Sequence, residues 1–247
     1  MIKNLKSIGG IILNPKEKLF FVGQKIVSSD NCDQIEYELL LRYGDPQNAH
    51  FPAELYEHFV ESEEAYREYA GFLNESIPSI LHANPGALFS FNIDQQELEY
   101  PELFEFLDNL SETQRQRLTI ELTENAPIDH AGSYYASYNI KAVKKISDMG
   151  YKVAFDDIGS GINTFGNLCL SKDYISRVKW SYINLSKYVS WDQSSGLIKF
   201  LSEFADSNQL DFVVEGIENK KTADELCRLG IKFFQGYLYS KPEVIAS

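Results

Sequence analysis

The stretch Tyr134–Gly161, YYASYNIKAVKKISDMGYKVAFDDIGSG, carries the reading of the fold. Its first part, Tyr134–Met149, has the pattern of an amphipathic helix and stops at Gly150, a residue that ends a helix without strain. A short apolar run, Val153–Asp156, follows and reads as a strand. That strand ends on two adjacent carboxylates, Asp156 and Asp157. Gly159 and Gly161 then permit a tight loop.

The same alternation continues in both directions. Leu19–Ser28, Ile35–Arg42, Leu88–Ile93, Leu118–Leu122, Val178–Asn184, Phe212–Glu215 and Lys232–Tyr237 read as further strands. Phe51–Ala83 is expected to hold two helices, and Pro101–Leu110, Ser195–Ser207 and Thr222–Leu229 one each, the last stopping at Gly230. Eight strands with interleaved helices predict an α/β barrel, a fold that typically takes about 250 residues. The alternative is an open doubly wound sheet, but no GxGxxG or GxxxxGK[ST] follows a strand. Without linkers, low-complexity tracts or repeats, residues 1–247 read as one domain.

Hydrophobic residues make up 44% of the 247, enough for a sizeable core. The formal net charge of −13 argues against DNA or RNA binding, which needs a basic face. Cys32, Cys169 and Cys227 lie far apart and read as free thiols of a reducing cytoplasm. Neither a signal peptide nor a membrane span is read. The expectation is a cytoplasmic protein.

Polar residues recur at the strand ends: Glu38, Asn92, Glu121 and Glu124, Asp156 and Asp157, Lys179, Glu215 and Glu218, and Gln235. In a barrel these ends converge on one mouth. Each alone reads as an ordinary solvated terminus. Together, inside apolar sequence, so many carboxylates need cations or protons to compensate them. Oxygen donors with one amide suit Mg²⁺ or Mn²⁺ better than zinc, and none of the four histidines joins these motifs. On the first of these strands Glu36, Glu38, Leu40 and Arg42 share a face. Glu38 can then hold a metal while Arg42, at the rim, meets a phosphate.

At these residues the sequence resembles the EAL domain family of bacterial cyclic di-GMP phosphodiesterases. YELLLR resembles the signature E-x-L-x-R, with Leu39 where alanine is usual; FNID resembles the asparagine motif and IELTE the E-x-T-E motif. DDIGSG, VVEGIE and FQGYLYSKP are similar to the family's D-D-F-G-T/S-G, A-E-G-V-E and Q-G-Y-x-x-S-x-P segments, and FVGQKIVS to its opening Y-Q-P-I-V. The motifs run in order from about Phe20 to Pro242.

The resemblance implies a modified TIM (βα)8-type barrel with an antiparallel first strand, and hydrolysis of cyclic di-GMP to linear pGpG with two divalent cations, Mg²⁺ or Mn²⁺. It places Glu38, Asn92, Glu121 and Asp156 on the first ion, and Asp156 and Asp157 on the second. Glu215 is then a nearby ligand or the base. Lys179 orients the attacking water. Gln24, Arg42 and Gln235 contact the nucleotide. Glu124, Gly159, Gly161 and Glu218 support these groups, with Glu124 linked to a homodimer interface. VKWS stands where the family has K-I-D, so Ser181 replaces an aspartate and is expected to weaken catalysis. Two other readings remain: a cyclic di-GMP receptor that does not hydrolyse, and an EAL scaffold that binds a regulatory protein partner. The retained metal-site carboxylates speak against both.

Overall fold

A computed structural model describes residues 18–31, 33–127 and 138–247, together with the backbone of Lys6–Ile8 and Ile11–Leu13. Cys32 and residues 134–137, the expected start of one helix, lie outside the described residues. Lys6–Ile8 (β1) and Ile11–Leu13 (β2) pair antiparallel. The main sheet begins with Lys18–Ser28 (β3), which pairs antiparallel with Glu36–Gly44 (β4) from Lys18 opposite Gly44 to Ile26 opposite Glu36.

Parallel pairing then continues through Leu88–Ile93 (β5), Leu118–Leu122 (β6), Lys152–Phe155 (β7), Arg177–Ser181 (β8), Asp211–Glu215 (β9) and Phe233–Gln235 (β10). β10 meets β3 antiparallel, with Phe233 opposite Ser28, and the barrel closes. Within the closed ring β3 is the strand that runs antiparallel to the rest, as the family resemblance implies. The two-residue β11, Glu243–Val244, adds to β3 outside the closed ring.

Helices cover the barrel: Ala53–Val60 (α1), Glu63–Ala83 (α2), Pro101–Asn109 (α3), Glu112–Arg115 (α4), Ile140–Asp148 (α5), Phe165–Ser171 (α6), Tyr182–Ser186 (α7), Trp191–Ser207 (α8) and Lys220–Arg228 (α9). Their ends follow local chemistry. The Ser62 hydroxyl accepts from the Ala65 amide to start α2, Asn139 accepts from Ala142 to start α5, and Asn219 accepts from Thr222 to start α9. Gly150 and Gly230 follow α5 and α9 at φ +89° and +87°, a conformation that side chains disfavour. Each helix buries one face. Val143 and Ile146 of α5 and Leu73 and Ile77 of α2 are fully buried against a sheet surface that includes Phe89, Phe91 and Val153. Burying each such side chain contributes about 1.5–3 kcal/mol.

Two expected strands are shorter than the sequence suggests. The run Val178–Asn184 ends at Ser181, where the chain turns into α7. Lys232–Tyr237 shortens to Phe233–Gln235, because Gly236 at φ +152° packs its α-carbon against the Ile217 backbone. Among the described residues no helix is long and apolar enough to cross a membrane.

Candidate active site

The parallel strands bring their C-terminal ends to one mouth, and alternation sends every second side chain inward. Lys179 of β8 projects into the centre. Its Nζ lies 2.6 Å from Glu121 of β6 and 2.6 Å from Glu215 of β9. It lies 3.1 Å from Asp156, at the end of β7, and 3.2 Å from Glu38 of β4. Glu38 is held from two further sides, accepting from Asn92 Nδ2 and from Gln235 Nε2, both at 2.7 Å. Gln235 Nε2 also reaches Gln24 Oε1 at 3.4 Å, and Gln24 Nε2 donates to the Ser240 carbonyl at 3.2 Å.

Lys179 is 1% exposed and Glu121 wholly buried. Burial opposes the Lys179 charge, yet Asp156, Glu121, Glu215 and Glu38 together hold its pKa well above the usual lysine value. Four carboxylates exceed one ammonium. Burial therefore pushes Glu121 up to about 7. Burial, with the charges of Asp156 and Glu124, pushes Asp157 up to about 6. Glu38 goes the other way: burial would raise it, but Lys179, Gln235 and Asn92 hold it below the usual range.

Several oxygens here lack hydrogen-bond partners. Asn92 Oδ1, Glu121 Oε1 and Asp156 Oδ1 are buried and accept no hydrogen bond, and Asp156 Oδ1 faces only the Lys179 charge. Buried acceptors are rarely left so. These are hard oxygen donors on three of the four residues that the resemblance places on the first ion, and they fit a divalent cation. Among the described residues, however, no three or more His, Cys, Asp and Glu side chains are already spaced to hold a metal ion. The Lys179 ammonium occupies the point that the carboxylates share.

The loop after β7 is built on backbone contacts. Asp157 sits at φ +44° and Gly161 at +43°. A side chain at Gly161 would collide with the Glu124 carbonyl, which itself accepts from the Ile162 amide at 2.8 Å. Glu124 thus meets the glycine loop through its backbone, while its side chain lines the adjoining cavity. Asn163, given no role from the sequence, donates to the Leu122 and Asp156 carbonyls at 2.8 and 2.6 Å and ties the ends of β6 and β7 together.

Two cavities open at the mouth, with Asp156 lining both. The larger, about 510 Å³, is bordered by Arg42, Tyr56, Asn92, Asp94 and Glu124. Arg42 donates to its neighbour's carbonyl, that of Leu41, at 2.8 Å. Asp94, read from the sequence only as part of FNID, accepts from Thr123 and Asn125 in this wall. The smaller, about 330 Å³, is bordered by Gln24, Glu38, Lys179, Ser181, Glu215 and Gln235. Glu218 stands exposed at its rim. His50, His58 and His82 line neither cavity.

The EAL domain family model matches residues 16–242. The chain belongs to the EAL domain family. Over 73% of its length it is 26% identical to the cyclic di-GMP phosphodiesterase PdeA of Borreliella burgdorferi. It spans only a quarter (25%) of that relative's length. The EAL enzyme Bd1971, in its form with cAMP and cyclic di-GMP bound, superposes with a TM-score of 0.71 at 25% identity over 93% of this chain and 63% of that one. The Bacillus subtilis YkuI protein, in complex with cyclic di-GMP and calcium, shares the EAL fold at 20% identity, with a TM-score of 0.72 over 91% of this chain and 56% of that one.

Proposed function

We propose that this EAL domain hydrolyses cyclic di-GMP to pGpG with the help of two divalent cations, and that residues 1–247 act as one catalytic domain in a bacterial cytoplasm. The observation that carries the reading is the convergence of Glu38, Glu121, Asp156 and Glu215 on Lys179, with buried oxygens of Asn92 and Glu121 left without a partner and that of Asp156 facing only the ammonium. The two-lobed cleft adds support, since Asp156 stands between two spaces of the kind that the halves of a cyclic dinucleotide require.

Glu38, Asn92, Glu121 and Asp156 would hold one cation, and Asp156, Asp157 and Glu215 the other. Bound there, Mg²⁺ or Mn²⁺ supplies charge neutralisation at the phosphodiester and acidifies an attacking water. Lys179 positions that water and faces the charge that develops on phosphate oxygens. Glu215, 2.6 Å from Lys179 on the wall of the smaller lobe, would take the water's proton. Arg42 guards the larger lobe and would meet a phosphate. Gln235 and Gln24 form a hydrogen-bonding wall in the smaller lobe. Asn163 and the glycine loop keep Asp156 and Asp157 in place.

Incubating the pure protein with cyclic di-GMP and Mn²⁺ or Mg²⁺, and resolving the products by chromatography, tests the reading. Turnover to pGpG is expected, with complete loss in EDTA and recovery on adding the cation back. Undiminished hydrolysis in EDTA would rule out the cation-dependent mechanism. Binding of cyclic di-GMP with no turnover under any cation would favour the receptor.

Ser181 lies beside Glu215 in the sheet register and on the wall of the smaller lobe. We propose that it limits turnover. Lys179 already has four carboxylate partners, so the missing aspartate leaves it charged, and the loss falls on ordering water in the smaller lobe. Ser181→Asp is expected to raise turnover up to about 10-fold, the low end of what an outer partner contributes. Equal turnover in the two proteins would show that the lobe has adapted to serine.

A homodimer is also proposed. Phe165 and Leu170 of α6 and Leu197 and Phe200 of α8 are exposed, and the Phe165 and Phe200 rings lie 5.4 Å apart, just beyond the glycine loop. Contiguous apolar surface of this kind marks association sites. Light scattering is expected to give a dimer for the wild type and a monomer for Phe200→Asp. A monomeric wild type at high concentration with full activity would remove this proposal.

A further inference from the structure

A second ion pair lies inside the barrel, beneath the carboxylate cluster. Side chains two positions apart on a strand share a face. Glu36 therefore lies below Glu38 on β4, and Arg177 below Lys179 on β8. The Arg177 guanidinium grips Glu36 with both ends, Nη1 to Oε1 and Nη2 to Oε2, the latter at 3.1 Å. Each residue is 4% exposed. Gln34 donates to Glu36 Oε2 at 3.2 Å, Asp211 Oδ2 stands 3.4 Å from Arg177 Nη2, and the guanidinium sits 5.6 Å from the centre of the Phe233 ring.

The strands that carry this pair are not neighbours. In the closed order from β3 to β10, β5, β6 and β7 separate β4 from β8 on one side, and β3, β10 and β9 on the other. β4 and β8 thus face each other across the barrel. Glu36–Arg177 and Glu38–Lys179 both join residues 141 positions apart, so they cross the same diameter one above the other. Burying an ion pair is costly, and apolar side chains of similar volume commonly fill such a space with equal or better stability. What apolar side chains lack is direction: a bidentate guanidinium–carboxylate pair fixes distance and orientation together.

We propose that Glu36 and Arg177 are positioning residues, a strut that sets the width of the barrel under the site and so the separation of Glu38 from Lys179. Glu38 and Lys179 belong to opposite walls of the mouth, and every other carboxylate of the cluster is referred to Lys179. A strut one layer down therefore controls whether the oxygen donors of β4 to β7 and β9 meet at one place. Misplacement by about 1 Å is enough to cost about 100-fold in rate. The proposal rests on reading the mouth as a cation-dependent phosphodiester site.

The test is the double variant Glu36→Leu/Arg177→Met beside Arg177→Lys, which keeps the charge but loses the fork. The double variant is expected to melt at or above the wild-type temperature. Its turnover should fall about 10–100-fold with little change in KM, and its Mn²⁺ affinity in isothermal titration should fall similarly. In its crystal structure the Lys179–Glu38 contact should be lengthened. Arg177→Lys should lie between the two. Wild-type turnover and Mn²⁺ affinity in the double variant would overturn the strut. If that variant does not fold, Arg177→Lys decides: unchanged Mn²⁺ affinity in the folded protein overturns the proposal, and reduced affinity supports it. Should the wild type neither hydrolyse cyclic di-GMP nor bind Mn²⁺, the functional reading fails by itself. The crystal structure of a folded variant then judges the strut, and an unaltered Lys179–Glu38 contact overturns it.

Discussion

Asp156→Ala is expected to reduce cyclic di-GMP hydrolysis by more than about 100-fold, beyond what loss of an outer partner costs, while the fold stays intact. Among the described residues Asp156 is the one acidic residue that lines both lobes, and its buried Oδ1 faces only the Lys179 ammonium, at 3.1 Å. Under the proposed mechanism it serves both cations, so no solvent molecule can replace it without moving both. The fold should survive because the site holds more negative charge than Lys179 neutralises. Burial raises the Asp156 pKa, and removing that carboxylate relieves repulsion with Glu38. Metal-free Asp156→Ala should therefore melt no lower than wild type, with a native circular dichroism spectrum. Adding Mn²⁺ should raise the melting temperature of wild type more than that of the variant. Hydrolysis at the wild-type rate would mean that the site lies elsewhere.

The acidic strand ends were legible in the sequence because each sits where an apolar run stops, and a barrel leaves such ends one place to meet. Leu88–Ile93 and Leu118–Leu122 form strands with the expected bounds, since their apolar runs are flanked by clear breaks. The end of β8 was less legible. Tyr182, Ile183 and Leu185 look like strand residues, and α7 starts without a side-chain cap to announce it. α6 did leave a signal: Thr164 accepts from the Asn167 amide, a cap that sequence reasoning passed over.

Within the site, the sequence put Lys179 at the barrel mouth but did not reveal it as the common partner of four carboxylates. That depends on the depth to which β8 sinks in the barrel. The Glu36–Arg177 pair was harder still to read. Alternation put Glu36 on the face of Glu38, but nothing local connects it with a residue 141 positions away. Pairs across a barrel become visible only once strand order and register are fixed. Asn163 is similar, because its two partners are backbone carbonyls at the ends of different strands.

Lys179→Met should remove turnover and, in the same protein, expose a structural role that depends on cations. The methionine replaces most of the lysine stem, so packing is largely kept and the main loss is the charge. Glu38, Glu121, Asp156 and Glu215 then share a buried site with no common cation. Removing one partner of a buried ion pair typically costs about 3–5 kcal/mol, because the remaining charge is left uncompensated. For a chain of this size that corresponds to a fall of about 6–20 °C in melting temperature. A divalent cation binds the folded state and adds stability by mass action, about 2.7 kcal/mol at a hundred times its dissociation constant. In wild type, bound cations must share the carboxylates with the ammonium; in the variant they would not. Mn²⁺ should therefore stabilise Lys179→Met more than wild type and close much of the gap in melting temperature. Cyclic di-GMP affinity measured in Ca²⁺ should be largely retained, since Arg42, Gln24 and Gln235 are untouched. Equal melting temperatures of the two metal-free proteins would show that Lys179 is not the internal counter-ion of the cluster.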